Sequence, residues 1–347
     1  MYILISIVSL FVWLFILAFI SVYLVVLIFS HNPRPLHEDE IYYTTLTAEK
    51  SVYSDLKPLP LKNSNYDPKS NILISLVIPC YNEINRIKPM LDDSTSFLKE
   101  KYGDDAFEIL IVDDGSTDGT SNFILDLSEN LYSLKPDQIR IIKLIKNRGK
   151  GGAVTHGLQY TRGKYSIFAD ADGASKFSDI SKLITAIEKH QSPKSQQVPV
   201  VAVGSRAQLY EKNNNHSVVK RSLIRSFLML SFHSILFIFG IRNVKDSQCG
   251  FKLFNKAAIQ QIFPYMHNER FIFDVEILMI ANHKKIPIEE VPISWHEVSG
   301  SKVDLARDSI KMAIDLIVTR FAYLFGIYKD YEVVDCKVIH KLKEKSI

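Results

Sequence analysis

Four apolar segments, each followed by polar residues, constrain the fold of this chain more than any other feature of its sequence. The segments are residues 72–79, 107–112, 139–144 and 165–169, and helical patterns separate them. Nearly continuous apolar runs are typical of strands that are buried on both faces. Because these strands alternate with helices, the sequence predicts an α/β fold with a mostly parallel sheet.

Polar or glycine-rich stretches follow the four segments directly, at the point where each predicted strand ends. They are Asn82 and Glu83, then Asp113 and Asp114, then residues 146–152, and finally Asp170 and Asp172. In open α/β sheets, ligands bind beyond the carboxyl ends of the strands. The sequence therefore predicts that these side chains form one site at one edge of the sheet.

Asp170 and Asp172 are two carboxylates spaced i, i+2 after an apolar strand. Mg²⁺ and Mn²⁺ prefer oxygen ligands and usually share their coordination shell with substrate phosphates. An Asx-type turn with two solvated aspartates is the alternative for such a pair in isolation. The other clusters at the same edge favour a site for Mg²⁺ or Mn²⁺, with Asp172 as the first choice for a direct ligand.

Residues 146–152 form a basic, glycine-rich loop before a helix that we expect at about 153–160. Backbone amides at a helix N-terminus, together with Arg148 and Lys150, can hold a phosphate group. The spacing of a Walker loop is absent, and no G-x-G-x-x-G follows the first strand. The latter argues against an ordinary dinucleotide oxidoreductase. A solvated turn is the alternative for this loop alone.

Residues 1–30 contain no charged side chain, which predicts a membrane-spanning helix. A cleaved signal peptide is the alternative, but a basic start, a short apolar core and a small-residue cleavage site are missing. Arg34 and Lys50 follow the helix, so the positive-inside rule places the rest of the chain in the cytosol. A sequon at Asn215 makes this orientation testable, since glycosylation there would contradict it.

The remaining chain divides by composition into three further parts. Residues 31–70 are polar and contain prolines, which predicts a tether with little regular structure. Residues 71–300 form the main domain, and within it we expect an interfacial helix at about 217–240, with a buried core helix as the alternative. Residues 301–347 are expected to form an amphipathic helix and a basic tail.

Overall charge and cysteine content restrict the partners and the compartment of the protein. The net charge of +4 is too small to indicate binding to nucleic acid. The three cysteines are widely spaced and odd in number, so they predict neither a disulfide framework nor a zinc site. They are compatible with a reducing compartment.

Six motifs resemble those of a known family. VIPCYNE at 77–83, VDDGSTDG at 112–119 and DADG at 170–173 resemble the GT-A nucleotide-sugar glycosyltransferases of the large inverting family. DSQCGFKLF at 246–254, FDVE at 273–276 and GSKV at 300–303 are similar to its polyprenyl-phosphate branch, in particular to the dolichyl-phosphate β-glucosyltransferases. The resemblance covers nearly the whole chain. It implies a GT-A, Rossmann-like sheet with helices on both faces, besides the transmembrane and interfacial helices.

The resemblance also implies roles for individual residues. Asp113, with Pro79, Tyr81 and Glu83 nearby, would hold the uridine of a UDP-sugar. Asp172 and Asp170 would hold the metal and the sugar diphosphate, with Asp170 reaching the ribose or the sugar. Asp274 matches a position often assigned to the acceptor base. The other expected substrate-binding or catalytic residues are Asp114, Arg148, Lys150, Arg206, Gln248, Ser301 and Lys302.

The implied reaction is inverting transfer of glucose from UDP-glucose to dolichyl phosphate at the endoplasmic reticulum membrane, giving the lipid-linked glucose donor for N-glycan assembly. A phosphate monoester has its second pKa near ~6, so this acceptor needs little proton removal, and we expect Asp274 to position groups. The alternatives are a mannosyltransferase that uses GDP-mannose, a processive polysaccharide synthase, and a membrane-tethered nucleotide-sugar binder without catalysis. The absence of Q-x-x-R-W argues against the synthase.

Overall fold

The computed structural model describes residues 2–47, 53–191, 198–207, 244–298 and 305–329. Its helices are α1 (Tyr2–Phe29), α2 (Ile87–Tyr102), α3 (Thr120–Asn130), α4 (Lys150–Gln159), α5 (Ile180–Glu188), α6 (Lys256–Ile262), α7 (Phe273–His283) and α8 (Leu305–Leu324). Its strands are β1 (Tyr42–Tyr43), β2 (Lys57–Pro58), β3 (Ile74–Cys80), β4 (Phe107–Asp113), β5 (Ile139–Lys143), β6 (Tyr165–Ala169), β7 (Val201–Ser205), β8 (Phe251–Asn255) and β9 (Ile288–Pro292).

Within the described residues, seven strands form the main sheet in the order β5-β4-β3-β6-β8-β7-β9. The pairs β5-β4, β4-β3, β3-β6 and β7-β9 are parallel, whereas β8 is antiparallel to both of its neighbours. The prediction of a mostly parallel α/β sheet is confirmed. The four predicted strands are β3 to β6, and their carboxyl ends lie on one edge.

Both faces of the sheet are buried, because alternate residues of each strand contact different helices. Leu76 and Ile78 of β3 belong to the apolar core that also contains residues of α2, α3 and α5. Val77, between them, belongs to the opposite core with residues of α4, α6 and α7. Helices therefore cover both faces, as expected for this architecture.

The segment that follows α1 is packed against the domain, although its composition predicts a tether with little regular structure. Thr44 exchanges backbone hydrogen bonds with Ile141 of β5, with N···O distances of 2.9 Å in both directions. Glu40 is fully buried and accepts a hydrogen bond from the Arg34 guanidinium. Regular structure is sparse there, as predicted, but these long-range contacts make the segment more ordered than its composition suggests. Local composition does not reveal contacts with residues far along the chain.

Other predicted elements differ from the structure or lie outside it. Helix α4 begins at Lys150, a turn earlier than predicted, because Gly149 has a φ of +95° and starts the helix there. The expected interfacial helix at about 217–240, the sequon at Asn215 and the tail after residue 329 lie outside the described residues. The proposed domain boundaries remain predictions.

Candidate active site

The predicted carboxylates lie together at the carboxyl edge of the sheet because adjacent parallel strands end side by side. Cys80 at the end of β3 pairs in register with Asp113 at the end of β4. Asp170 directly follows β6, the other neighbour of β3. The backbone N–H of Asp114 donates to the carbonyl of Cys80 over 2.8 Å, which joins the first two strand ends.

Asp113 is buried and holds the loop that leads into α3. One carboxylate oxygen accepts a hydrogen bond from the backbone N–H of Ser116 at 2.7 Å, and the other accepts from the Ser121 hydroxyl. The carboxylate is therefore oriented before any ligand binds. Each oxygen has two lone pairs, so both retain capacity to accept a further hydrogen bond.

Asp114 connects the β4 end to the glycine-rich loop. Its two carboxylate oxygens accept hydrogen bonds from the backbone N–H groups of Arg148, at 2.6 Å, and Gly149, at 2.8 Å. Burial raises the pKa of Asp114 to about 7, against the opposing effect of these two hydrogen bonds. The side chain thereby fixes the start of α4 and with it the position of Lys150.

Lys150 and Asp170 form an ion pair with an Nζ···Oδ1 distance of 2.5 Å. Burial alone would lower the pKa of Lys150, but the charges of Asp170 and Asp274 raise it, so the side chain remains a cation. One oxygen of Asp172 accepts a hydrogen bond from the backbone N–H of Ala174 at 3.1 Å. Burial and the neighbouring charge of Asp170 raise the pKa of Asp172.

Asp274 lies at the start of α7, where it forms a buried ion pair with Lys252 of β8. Burial raises the pKa of Asp274, and the charges of Lys252 and Lys150 oppose that effect. Lys252 also donates a 2.8 Å hydrogen bond to the carbonyl of Cys249. Two lysines thus contribute to the electrostatics of Asp274, and one of them is the partner of Asp170.

The expected uridine-binding residues lie at the end of β3. Glu83 is buried and accepts two hydrogen bonds from Arg86, at 2.7 and 2.8 Å. Tyr81 is exposed, with 43% of its surface accessible, whereas Pro79 is half-buried. The Tyr81 ring is therefore accessible directly after β3, while Glu83 is paired with Arg86.

Arg148 and Arg206 are each engaged with a carboxylate. The guanidinium of Arg148 contacts Glu269 at 2.5 Å. Arg206 forms a bidentate pair with Asp246, with two N···O distances of 2.7 Å, and its cation lies 5.6 Å from the ring centre of Trp295. Arg148 therefore supports the loop, and Lys150 is the basic residue that reaches Asp170.

Three further expected residues are less well defined. Gln248 is half-buried in the turn before β8. Ser301 and Lys302 lie outside the described residues, so their expected roles remain predictions.

Sequence reasoning missed Lys252, Glu269 and Gly250. Lys252 is a charged residue within an apolar strand, and this pattern could have indicated a buried ion pair. Its partner Asp274 is 22 residues away, so the local sequence does not identify it. Glu269 has no local motif and meets Arg148 across 121 residues. Gly250 accepts a hydrogen bond from the backbone N–H of Asp170 through its carbonyl, at 3.2 Å.

Residues 75–263 match the family model described as Glycosyl transferase family 2. The chain is 54% identical over 314 residues to a dolichyl-phosphate beta-glucosyltransferase of Saccharomyces cerevisiae, covering 90% of this chain and 92% of the relative. It is 39% identical to the protein of that name from Dictyostelium discoideum, covering 91% and 93%. The human protein of that name is 36% identical, covering 84% and 86%.

Among solved structures, the chain is similar to a glucosyl-3-phosphoglycerate synthase from Mycobacterium tuberculosis. The sequence identity is 15%, the match covers 75% of this chain and 87% of that chain, and the TM-score is 0.47.

The site and the sheet define an enzyme of the nucleotide-sugar glycosyltransferase class, and the family model agrees. The chain belongs to glycosyl transferase family 2 and, within it, to the family of dolichyl-phosphate β-glucosyltransferases.

Proposed function

We propose that the protein transfers glucose from UDP-glucose to dolichyl phosphate with inversion, giving dolichyl β-D-glucosyl phosphate. The observation that carries the proposal is the ion pair of Lys150 with Asp170, next to Asp172 and the buried Asp274. This arrangement offers opposite charges at the carboxyl edge of the sheet, where a nucleotide sugar would bring its diphosphate. The relatives named for this activity support the choice of donor and acceptor.

The proposed donor site extends from Asp113 to Asp172. The Asp113 carboxylate is fixed by Ser116 and Ser121, so it can accept a hydrogen bond from uridine without reorganisation. Tyr81, the residue after β3, offers an exposed ring for the base. Asp170 reaches the ribose or the glucose, and Lys150 provides a cation for the diphosphate.

Asp172 and Asp170 fit a divalent cation, Mg²⁺ or Mn²⁺. Two carboxylates two residues apart repel each other, and the raised pKa of Asp172 reflects this together with burial. No cluster of three potential ligands occurs within the described residues. Diphosphate oxygens would complete the coordination shell of such a cation. Asp172 would be the direct ligand and Asp170 its neighbour, and the bound cation would stabilise the negative charge that develops on UDP.

In the proposed reaction, a phosphate oxygen of dolichyl phosphate attacks the anomeric carbon while the bond to the UDP oxygen breaks. The acceptor phosphate is largely dianionic at neutral pH, since its second pKa is near ~6. There is little proton for Asp274 to remove. Its buried pairing with Lys252 favours a positioning role, in which the carboxylate holds Lys252 and adds to the charges that keep Lys150 protonated.

Membrane association follows from the apolar helices. Helix α1 is the candidate span among the described residues, with a mean hydropathy of 2.9 over Ile5–Phe29 and little burial. Phe325, just after α8, packs against Phe19 of α1 with ring centres 5.4 Å apart. Exposed apolar residues form one stripe on α8: Ile310, Ile314, Ile317 and Leu324.

This stripe and the surface of α1 would face acyl chains together, which would bring the active site close to a lipid-linked acceptor. We further propose a location in the endoplasmic reticulum membrane with the catalytic domain facing the cytosol, supported by Arg34 after α1. A glycosidase-sensitive mass shift at Asn215 would contradict this orientation.

The experiment is incubation of the purified full-length protein with dolichyl phosphate and labelled UDP-glucose or GDP-mannose, with Mg²⁺ or with EDTA. We expect lipid-extractable label from UDP-glucose alone, lost on chelation. Label from GDP-mannose alone would identify the mannosyltransferase. Binding of UDP-glucose without any transfer would identify a non-catalytic binder.

A further inference from the structure

A cavity of about 310 Å³ lies between the C-terminal parts of α7 and α8. Its lining includes Met279, Ile280 and His283 of α7, Arg320 and Tyr323 of α8, and Tyr328. We call it the α7–α8 cavity. Asp274 lies at the other end of α7, roughly 13 Å from His283 along the helix axis at ~1.5 Å per residue. The cavity is therefore separate from the carboxylate edge, and its volume falls in the ~300–1,000 Å³ range of ligand sites.

The interior of the α7–α8 cavity is apolar. The methionine and the isoleucine that α7 contributes are both buried. The Tyr323 hydroxyl donates a 2.9 Å hydrogen bond to Glu276, and the Tyr328 hydroxyl accepts one of 2.6 Å from the backbone N–H of His31. Neither Glu276 nor His31 lines the cavity, so the two tyrosines contribute ring surface to it.

The open end of the α7–α8 cavity is positively charged. Arg320 is partly exposed, and its guanidinium forms no hydrogen bond or ion pair within the described residues. No acidic side chain is among the described residues that line the cavity. Helix α7 ends at the exposed His283, and Lys284 and Lys285 follow it. Because a guanidinium stays protonated, this end of the cavity favours an anionic group.

Helix α8 runs beside α1 in the opposite direction. Val26 of α1 packs in one apolar cluster with Val318 and Ala322 of α8. Further along the chain, Phe325 packs against Tyr23, which comes before Val26 in α1, with ring centres 5.9 Å apart. The C-terminal part of α8 therefore lies level with residues 23–26 of α1.

Arg320 falls between these contacts in sequence, so it lies about 5–9 Å before the end of α1 at Phe29, at ~1.5 Å per residue. With α1 as the proposed membrane span, this level is the boundary between acyl chains and headgroups. Leu324, one turn after Arg320, belongs to the exposed apolar stripe of α8. A cation at this depth is costly unless an anion pairs with it.

We propose that the α7–α8 cavity binds one anionic phospholipid of the bilayer. Its phosphate pairs with the guanidinium of Arg320, and part of one acyl chain occupies the apolar interior. The basic residues that end α7 favour a headgroup with a net negative charge. The lipid would join α7 and α8 to the membrane at the far end of α7 from Asp274, so it would not take the place of the acceptor.

The test is reconstitution of the full-length protein into phosphatidylcholine bilayers with or without phosphatidylinositol, followed by native mass spectrometry of the lipids that it retains. We expect one retained phosphatidylinositol in preference to phosphatidylcholine. Arg320→Gln removes the charge and should lower this retention by about tenfold. Lys311→Gln is the matched control, because it removes an exposed cation from the same helix outside the cavity and should retain the lipid.

Thermal unfolding in detergent separates lipid binding from folding. Added phosphatidylinositol should raise the unfolding temperature of the unmodified protein and of Lys311→Gln but not that of Arg320→Gln, while all three unfold at the same temperature without it. Equal retention by Arg320→Gln and the unmodified protein, or retention of phosphatidylcholine as readily as phosphatidylinositol, overturns the proposal.

A third bilayer, containing dolichyl phosphate and phosphatidylinositol together, tests the acceptor as the occupant. Retained dolichyl phosphate that replaces phosphatidylinositol and depends on Arg320 would assign the cavity to the acceptor and overturn the proposal. No sample contains UDP-glucose, so the result is independent of transferase activity.

Discussion

At the scale of single residues, Asp274 is distinguished by its buried ion pair with Lys252. Lys252 is completely buried, and removing one partner from a buried ion pair typically costs 3–5 kcal/mol because the other charge stays unpaired. A catalytic base would need access to a proton on the acceptor. A dianionic phosphate offers little, so we propose a positioning role for Asp274.

Asp274→Asn is therefore expected to lower the transfer rate by about 10- to 100-fold, equally at all pH values, because Lys252 and Lys150 lose a fixed negative charge. The pH profile of kcat with UDP-glucose and dolichyl phosphate measures this. Lys252→Met, which removes the other partner, should reproduce the loss of activity and lower the unfolding temperature. Recovery of the Asp274→Asn rate at higher pH would show instead that Asp274 is a base.

His156 is a buried histidine of α4 whose ring donates a 2.8 Å hydrogen bond to the carbonyl of Glu40. Burial, assisted by the charge of Arg148, lowers the pKa of His156 to about 4 from the ordinary value of 6.5. Between these pH values, the unfolded chain binds more protons than the folded protein. The stability from a neutral His156 is thus complete above pH 6.5 and falls as the pH drops towards 4.

His156→Gln should keep the hydrogen bond to Glu40 and remove this titration. We expect the free energy of unfolding of this variant to fall less than that of the unmodified protein when the pH is lowered over that range. The difference between the two decreases should be up to about 3 kcal/mol, and denaturant titration in detergent measures it. Identical pH dependence in His156→Gln and the unmodified protein would exclude a neutral buried His156.

At the scale of elements, an added Cβ would meet close obstacles at Gly250, in the turn before β8, and at Gly151, in the first turn of α4. A Cβ on Gly250 would overlap the carboxyl group of Asp170. A Cβ on Gly151 would lie 2.7 Å from the backbone oxygens of Asn268 and Arg270. The first obstacle is a side-chain end that can rotate, whereas the second is backbone.

Gly250→Ala is therefore expected to displace Asp170 and lower the transfer rate by about 100-fold with little change in stability. Gly151→Ala should lower the unfolding temperature markedly, because the loop at 268–270 must move. Transfer rates and thermal unfolding of both variants measure this contrast. A large loss of stability in Gly250→Ala, with the specific activity of the folded fraction intact, would contradict it.

The elements themselves were largely predictable from the sequence. Strands β3 to β6 are mostly apolar, Asp113 ends β4 and Asp170 directly follows β6, so apolar patterning and position identified both the sheet and its functional edge. The antiparallel β8 and the packing of Glu40 depend on partners far along the chain. Local patterns carry no record of such pairs, which is also why Glu269 was missed.

At the scale of the whole molecule, the described residues combine one candidate membrane span, an adjoining helix with an exposed apolar stripe and a carboxylate edge. The contact of Phe325 with Phe19 and Tyr23 joins α1 to the C-terminal end of α8. Residues 31–47 then pack back onto the domain. Helix α1 is therefore connected to the domain by packed structure as well as by the chain itself.

The central claim is that Asp170 and Asp172 carry metal-dependent glucose transfer at this edge. The most direct test is the rate of label transfer from UDP-glucose to dolichyl phosphate by full-length Asp172→Ala with Mg²⁺, compared with Asp104→Ala, a control at a more exposed aspartate. We predict a loss of about 100-fold or more in Asp172→Ala with an unchanged unfolding temperature, and full activity in the control. Near-normal, EDTA-sensitive transfer by Asp172→Ala would contradict the account.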